Sequence, residues 1–258
     1  MSEAVKKAGL IRTMRQSEVN AYLKCGKLWE FRYVQNIVVP PRAALTVGTS
    51  VDRAVTHNLE QKIESGVDLP EGDVLDACAT AFDKEAQETE FREGDDRGAL
   101  KDMAVACTKL HHKEFAPKID PAAVQFEFLA NVTPTIQVAG TMDIITKGDL
   151  IRDTKTAKAS GANKLTGNVQ AGVYDLGFEG QTGRRAKGFS FDVLVKTKVP
   201  KTEIVSGQIT DAHRDFTVDT LVQVDAAMRA GIALPASEQG YWCSPAWCGY
   251  WDRCKGKK

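Results

Sequence analysis

Residues 138–157 contain two short apolar runs separated by a tight turn, and this pair constrains the fold more than any other part of the sequence. Residues 138–145 are rich in β-branched side chains, and an apolar run resumes at residues 150–151 after the polar segment 147–149. Extended runs interrupted by glycine and aspartate are typical of a β-hairpin. We therefore predict two adjacent strands joined by a turn at residues 147–149.

Three charged side chains fall on the predicted hairpin: Asp143 on its first strand, and Asp153 and Lys155 on its second. Side chains alternate between the faces of a strand, so Asp153 and Lys155 point the same way while Thr154 points oppositely. If Asp143 lies opposite them, two carboxylates and an ammonium meet in one small volume. Such a group can bind a hard divalent cation and still offer a positive charge to a phosphate. On these residues alone, a solvated strand edge is the alternative.

The hairpin resembles the signature of the PD-(D/E)XK nuclease superfamily, in particular its RecB-type branch. There, G-x-x-D on one strand precedes an apolar pair and D/E-x-K-T on the next, and here these motifs are residues 140–143 and 150–156. The resemblance implies an α/β fold: a restriction-endonuclease-like core with a mixed central sheet flanked by helices, an N-terminal helical region and a C-terminal cysteine clasp. It also implies that Asp143, Asp153 and the carbonyl of Thr154 bind Mg²⁺ or Mn²⁺ and that Lys155 is catalytic.

A further metal ligand is expected near residue 50. The RecB-type branch commonly has a glycine, three residues and then a histidine ligand, whereas here Gly48 is followed by Asp52, and His57 comes five residues later. Positions five apart differ by about 140° around a helix, so Asp52 and His57 cannot fill one site interchangeably. A carboxylate at Asp52 also suits Mg²⁺ or Mn²⁺. We therefore predict Asp52 near the metal and His57 on the helix surface.

Three more positions match motifs of the branch. Glu127, on the strand that precedes the hairpin, corresponds to a supporting acid that faces the active site. Gln170 and Tyr174 stand four residues apart on one face of a predicted helix. They correspond to the Q-x-x-x-Y motif, which implies that they line the path of DNA.

Composition limits the function classes only loosely. Lysine plus arginine equals aspartate plus glutamate at 34 each, so no overall basic charge indicates nucleic acid, although a local groove can still be basic. No apolar run approaches the ~20 residues of a membrane span, and the N-terminus lacks a signal-peptide core. We therefore expect an intracellular, cytoplasmic protein without membrane association, whose six cysteines are free thiols or metal ligands.

The chain is predicted to form a single nuclease domain over residues 1–258. Residues 1–15 are expected to fray, and helices are expected to begin at Ser17 and at Gly48. A helical insertion is expected over residues 58–118, a polar loop over 160–168, a strand over 189–196 and a helix over 217–230. Lys187, Lys196, Lys198 and Lys201 form either a local basic edge beside that strand or, as is commoner for such lysines, a solvated face. A cysteine-rich segment, 240–258, is expected to close onto Cys25.

The cysteine-rich segment contains Cys243, Cys248 and Cys254 in the pattern C-x4-C-x5-C, and Cys25 makes a fourth thiol. Four cysteines suit a [4Fe–4S] cluster or a structural Zn²⁺. The segment resembles AddB-like and CRISPR-adaptation exonucleases of the RecB-type branch, which join one N-terminal cysteine to three C-terminal ones around an iron–sulfur cluster. The first spacing there is usually C-x2-C, so this chain departs from the pattern.

Together these features predict a metal-dependent DNA exonuclease that hydrolyses phosphodiester bonds, acting on single-stranded DNA or DNA ends in recombination, repair or replication. Partner proteins from recombination or replication, or self-association, are compatible with this prediction. The alternative is a non-catalytic nucleic-acid-binding or assembly subunit that keeps the nuclease fold, and the aspartate at position 52 is its best argument. Nicking of a structured substrate or action on RNA is a third possibility.

Overall fold

The computed structural model describes residues 11–255, and in this part of the chain six strands form one sheet. The strands are β1 (Arg12–Arg15), β2 (Pro121–Thr133), β3 (Ile136–Thr146), β4 (Leu150–Ala157), β5 (Gly188–Val195) and β6 (Lys201–Gly207). Their order is β1-β3-β4-β5-β6. Both β1 and β4 pair with the same edge of β3, at its beginning and at its end, and β2 pairs with the opposite edge. The β1–β3 and β4–β5 pairs are parallel and the rest antiparallel, so the sheet is mixed.

Helices cover both faces of the sheet. They are α1 (Gln16–Lys24), α2 (Gly26–Trp29), α3 (Ala43–Ser65), α4 (Glu71–Glu85), α5 (Arg97–Glu114), α6 (Val169–Thr182), α7 (Asp211–Arg229) and α8 (Trp251–Cys254), with a π-helical turn at Glu30–Val34 and a 3₁₀ turn at Ala116–Lys118. One apolar cluster joins α1, α6 and α7 to one face, and a second joins α3, α4 and α5 to the other. The predicted α/β fold with a mixed central sheet flanked by helices is confirmed.

Helix α6 packs unusually close to the sheet, and this position matters for the site. The side chain of Asn168 caps the helix by accepting a hydrogen bond from the Ala171 N–H at 3.1 Å. At Gly177, an added Cβ would lie 2.3 Å from the ring of Phe128 on β2. A larger residue there would force the helix or the Phe128 ring to move, so Gly177 lets α6 lie close to β2.

Several boundaries differ from the sequence predictions. Residues 12–15, predicted to fray, form β1 because Met14 is fully buried against the sheet. Helix α1 begins at Gln16, without a side-chain cap, and not at Ser17. Helix α3 begins five residues before Gly48, so that glycine lies inside it. Residue 58, the predicted start of the helical insertion, also falls within α3.

The second half of α3, with α4 and α5, corresponds to the predicted insertion. These helices share the second apolar cluster with Ile144 of β3 and Leu194 of β5. The insertion is therefore packed on the sheet as part of the common core. No helix within residues 11–255 is both long and apolar enough to cross a lipid bilayer.

Candidate active site

Strand β3 shares one of its edges between two partners, and the candidate site lies where they part. At the beginning of β3, residues 136–139 pair with β1. At its end, only Ile144 and Ile145 pair with β4, opposite Arg152 and Ile151. Among the described residues, those from 140 to 143 have no strand partner on this edge. Because β4 diverges from β3 after this short ladder, the side chains that follow it open onto a cleft.

The side-chain alternation of β3 breaks at Asp143. Met142 packs in the first apolar cluster, whereas Ile144, two residues on, packs in the second cluster on the opposite face. The register places Gln125 of β2 opposite Asp143, and Gln125 has a φ of 50°, in the left-handed region. Non-glycine residues rarely adopt this conformation, so the local backbone is distorted at the carboxylate. The distortion directs Asp143 toward the cleft.

Asp153 and Lys155 lie on one face of β4, as the alternation predicts. The Lys155 Nζ lies 2.6 Å from Asp153 Oδ2, and Gln170 Nε2 of α6 donates a 2.7 Å hydrogen bond to Asp153 Oδ1. Within the described chain, Oδ2 has this charge contact but no well-angled hydrogen bond. Asp143 Oδ2 accepts a 3.2 Å hydrogen bond from the Thr154 backbone N–H, which ties the two strands together beyond their ladder.

Asp52 of α3 is the third carboxylate of the site. Its pKa is raised to about 6, first by burial and then by the negative charge of Asp153. The Asp143 pKa is raised well above its usual value by burial, Asp153 and Asp52, and burial also raises the pKa of Asp153. The charges of Asp153 and Asp52 thus act on neighbouring acids, which indicates that the three carboxylates lie close together. We name Asp52, Asp143, Asp153 and Lys155 the carboxylate cluster.

Lys155 is the main cation that balances these three acids, and Arg53 makes a smaller contribution at Asp52. Burial alone would lower the pKa of Lys155, but the charges of Asp153 and Asp143 outweigh it and raise the pKa. Lys155 therefore stays protonated, and the fully ionised cluster carries a net charge of about −2 in a low-dielectric cleft. Such a charge excess is unfavourable unless protons or a cation neutralise it, and carboxylate oxygens are the donors that Mg²⁺ and Mn²⁺ prefer.

The two predicted DNA-path residues lie behind Asp153. Besides its bond to Asp153, Gln170 Nε2 contacts the Tyr174 hydroxyl at 3.1 Å. Tyr174 is only 5% exposed, its ring meets Phe128 edge-on at 5.7 Å, and burial followed by the charge of Asp153 raises its pKa. A buried ring cannot stack on a base, so the structure gives Tyr174 a supporting position. Gln170 is half-buried and orients Asp153.

Glu127 lies apart from the carboxylate cluster. It is exposed on β2, opposite Thr141 of β3, and is not among the charges that shift the pKa values of the cluster. Because β2 pairs with the opposite edge of β3, Glu127 lies across β3 from the open part of that strand. His57 is exposed on α3, and Asp52 is the residue of this pair that reaches the cluster.

Two buried polar contacts next to the site were not predicted. Arg152 forms two 2.8 Å hydrogen bonds to the carboxylate of Asp192 on β5, on the face of β4 opposite Asp153. Lys196, predicted to belong to an exposed basic edge, donates instead to Thr156 Oγ1 at 3.3 Å, and burial lowers its pKa. An arginine directly after the apolar pair Leu150 and Ile151 was the available signal for the first contact. Nothing local to Lys196 indicated the second.

The four predicted clasp cysteines line one small cavity, together with Leu28, Phe31 and Trp251. All four thiols are free. The Cys25 Sγ accepts a 3.3 Å hydrogen bond from the Ala236 N–H. The Cys243 pKa is raised by burial and then by Cys25, and the Cys248 pKa is raised by burial, with smaller contributions from Cys25 and Cys254. We name Cys25, Cys243, Cys248 and Cys254 the cysteine cluster.

In neither cluster do the side chains of the described residues lie at metal-ligand distances from one another. Within residues 11–255, no three cysteine, histidine, aspartate or glutamate side chains stand at the distances that one metal ion requires. The two clusters nevertheless offer different types of metal ligand. The carboxylate cluster has hard oxygen donors, and the cysteine cluster has soft sulfur donors. By donor type alone, the first cluster suits a hard divalent cation and the second a thiolate-bound metal.

The fold and the paired acids with their lysine define a class of nucleic-acid-hydrolysing domains. The family model of the PD-(D/E)XK nuclease superfamily matches residues 13–255, so the chain belongs to this superfamily. Membership supports nuclease activity. No curated protein matches the sequence significantly.

Solved structures agree on the fold. The chain resembles the crystal structure of a "putative exonuclease" from Eubacterium rectale with a TM-score of 0.58 and 15% identity, covering 92% of this chain and 87% of that one. The structure of SSO0001 matches with a TM-score of 0.31 and 12% identity over 81% of this chain and 85% of that one, which is too distant to inform the comparison. At such identities the likeness concerns the fold alone.

Proposed function

We propose that this protein is a Mg²⁺- or Mn²⁺-dependent deoxyribonuclease, an exonuclease acting on single-stranded DNA or DNA ends in recombination, repair or replication. The observation that carries the proposal is the convergence of one buried acid, two half-buried acids and one lysine where β3 and β4 separate. Membership of a nuclease superfamily and the name of the Eubacterium rectale protein support it. Partner proteins from those processes, or self-association, fit the proposal equally.

The carboxylate cluster would hold the metal through Asp143, Asp153, the carbonyl of Thr154 and Asp52. A bound Mg²⁺ or Mn²⁺ supplies Lewis-acid polarisation of the scissile phosphate and lowers the pKa of a bound water. The excess of negative charge over Lys155 supports this assignment, because the cluster is stabilised by a dication and not by further acids. Glu127, exposed on β2, is proposed as a supporting acid.

The chain's own residues provide positioning and charge. Lys155, held protonated by Asp153, would donate to the attacking water or to the phosphate oxygen on which charge develops. Gln170 fixes the rotamer of Asp153 through its 2.7 Å bond, and Tyr174 in turn fixes Gln170. The half-buried amide of Gln170 is also the member of this pair that could contact DNA. Preorganisation of this kind lets the charges act without reorganising during the reaction.

The cysteine cluster is proposed to bind a [4Fe–4S] cluster, with Zn²⁺ as the alternative. The four thiols share one cavity with an apolar wall, and their donor type suits either group. Anaerobically purified protein should show a broad absorption shoulder near ~400 nm together with iron and acid-labile sulfide. Stoichiometric zinc in a colourless protein would favour the alternative.

Degradation of labelled DNA tests the enzymatic proposal. Linear single-stranded DNA should be shortened from an end in Mn²⁺ or Mg²⁺ and stay intact when Ca²⁺ replaces them. A closed circular single strand of the same sequence is the control, because an exonuclease requires an end. Cleavage of the circle would indicate endonucleolytic nicking. Degradation of RNA but not DNA would show that the substrate is RNA. Tight DNA binding without any hydrolysis would favour a non-catalytic nucleic-acid-binding or assembly subunit.

A further inference from the structure

A groove of about 670 Å³ lies between residues 24–45 and residues 236–250, and Cys25, Cys243 and Cys248 of the cysteine cluster line one part of it. Aromatic side chains from both segments line it, and the indoles of Trp242 and Trp247 are 36% and 51% exposed. Large aromatic rings are normally buried, since each removes much apolar surface from water. Two accessible indoles in one concave surface indicate a ligand that offers flat apolar faces.

The groove is also basic. Lys24, Arg32 and Arg42 line it, and none of its lining residues in the described chain is acidic. Arg42 pairs with Glu90 at 2.8 Å, whereas Lys24 and Arg32 are exposed and form no ion pair with other described residues. The Arg32 guanidinium lies 5.5 Å from the ring centre of Tyr33, so a cation and an aromatic face are offered together. On a chain of zero formal net charge, this surface complements an anionic ligand.

The groove leads to the carboxylate cluster along helix α3. Leu45 lines the groove and is 60% exposed, and Asp52 follows it by seven residues on the same helix. Residues seven apart lie on nearly the same face of an α-helix, and the rise places them about 10 Å apart along its axis. One face of α3 therefore connects the two surfaces over a short distance.

We infer that this groove binds single-stranded DNA, with bases stacked on Trp242 and Trp247 and phosphates near Lys24 and Arg32, so that α3 directs the strand toward the carboxylate cluster. This inference rests on the proposed function. Stacking platforms beside unpaired cations bind single strands of any sequence, because every base has a flat face and every nucleotide a phosphate. A protein segment would suit Val38 and Leu45, but it would leave the two unpaired cations without partners.

Binding can be measured without hydrolysis by fluorescence anisotropy, with Ca²⁺ in place of Mg²⁺ and a labelled oligothymidylate of about 15 nucleotides. Leu45→Glu places a negative charge between groove and site and should weaken binding at least about fivefold, because it repels the backbone. Ala44→Glu is the matched control: Ala44 is the exposed neighbour on α3, does not line the groove, and should change affinity less than about twofold.

The aromatic side chains need a separate test. Trp247→Ala should weaken binding about fivefold to tenfold, as expected for one lost stacking partner. Phe216→Ala removes an exposed ring of α7 that lines a different pocket and should leave affinity unchanged. Indole fluorescence of the wild-type chain should be quenched as the oligonucleotide binds, and Trp247→Ala should lose part of that quenching. Visible absorption and circular dichroism show whether the cysteine cluster and the fold persist.

Equal affinities of wild type, Leu45→Glu and Trp247→Ala would overturn the inference, whatever else the groove binds. Equal losses in Leu45→Glu and Ala44→Glu would also overturn it, because the effect would then be general charge. Wild-type hydrolysis of thymidine 5′-monophosphate p-nitrophenyl ester in Mn²⁺ tests the proposed function separately, since this reporter has one phosphodiester and is too short to span both surfaces. If the reporter were not hydrolysed while Leu45→Glu and Trp247→Ala still weakened DNA binding, the proposed catalysis would be refuted and the inferred DNA-binding groove would stand.

Discussion

The carboxylate cluster and the cysteine cluster each gather four polar side chains, but the fold holds them differently. Asp153 and Lys155 are fixed by the pleat of β4, and the Thr154 N–H ties Asp143 to the same strand. The sheet buries Asp153 completely. The cysteine cluster instead joins Cys25, after α1, to a turn-rich segment at the other end of the chain, and Cys254 remains exposed.

The difference concerns when each site is formed. The strand ladder and α6 fix Asp153 and Lys155 without a bound ion, although the acids of the described chain do not lie at metal-ligand distances from one another. The thiols are brought together by a few contacts, among them the bond between Cys25 and Ala236, which are 211 residues apart in sequence. Closing so long a loop costs conformational entropy that these contacts only partly offset. We therefore expect the carboxylate cluster to serve the reaction and the cysteine cluster to depend on its own bound group for order.

The largest expected effect is the loss of hydrolysis in Asp153→Asn and in Lys155→Ala. Each should lower the rate of single-strand degradation in Mn²⁺ at least about a hundredfold, because one removes a proposed metal ligand and the other the main cation of the site. Asp149→Asn is the control, since Asp149 lies in the same hairpin but pairs with Arg184 at 2.9 Å, away from the cluster. If either site variant kept near-normal rates with a native circular dichroism spectrum, the catalytic assignment would be wrong.

A second prediction concerns the stability of the metal-free protein. A carboxyl whose folded pKa lies above its unfolded value costs stability at high pH, and this cost disappears as pH falls through the folded pKa, about 6 for Asp52. Ca²⁺ or Mg²⁺ should therefore stabilise the protein at pH 7.5, by about 2.7 kcal/mol when the ion is at a hundred times its Kd. At pH 5 the gain should be much smaller, because protons neutralise the same oxygens.

Thermal unfolding of wild type and Asp52→Asn, with and without the ion, checks this. The variant should be more stable than wild type without metal at pH 7.5, since one of three crowded charges is gone, and it should gain less from the ion. A wild type that gained equally from the ion at pH 5 and pH 7.5 would show that the carboxylate cluster is not where the ion binds.

A third prediction sharpens the contrast from the cysteine side. Cys25→Ser should abolish the absorption near ~400 nm and lower the free energy of unfolding by about 2 kcal/mol, the scale of losing a tether between distant segments. Cys78→Ala is the control: Cys78 is buried in α4 within the second apolar cluster, so its loss should destabilise the protein while the absorption persists. Loss of colour in both variants would mean that the spectrum reports general unfolding.

Features of the fold and the site that depend on residues close in sequence could be predicted, and features that depend on residues remote in sequence could not. The hairpin, the alternation of Asp153 and Lys155, and the joint face of Gln170 and Tyr174 follow from local periodicity. The reversal between Met142 and Ile144 does not, because it arises where β1 and β4 share one edge of β3. The burial of Lys196 likewise depends on helices remote in sequence.

The same reasoning explains the edges of the fold and the outlying acid. Residues 12–15 carry no strand signal strong enough to outweigh their polar neighbours. They form a strand because they pair with the edge of β3 at residues 136–139. Glu127 was assigned from a motif position. Its distance from the carboxylate cluster depends on the register between β2 and β3, which a single sequence does not specify.

The smallest expected effect separates positioning from direct DNA contact. Gln170→Ala should lower the rate about tenfold by freeing Asp153, and Tyr174→Phe, which removes only the hydroxyl behind Gln170, about twofold. If Gln170 acts through Asp153, its variant should lower kcat, raise the Mn²⁺ concentration needed for half-maximal activity and leave DNA affinity in Ca²⁺ unchanged. If Gln170 instead contacted the DNA strand, its alanine variant would raise KM and weaken DNA binding, with an unaltered metal requirement.

Gln170→Glu adds a fourth acid beside Asp153. If positioning dominates, this variant should be more harmful than alanine, because the new charge competes for Lys155 and repels the carboxylate that the amide holds.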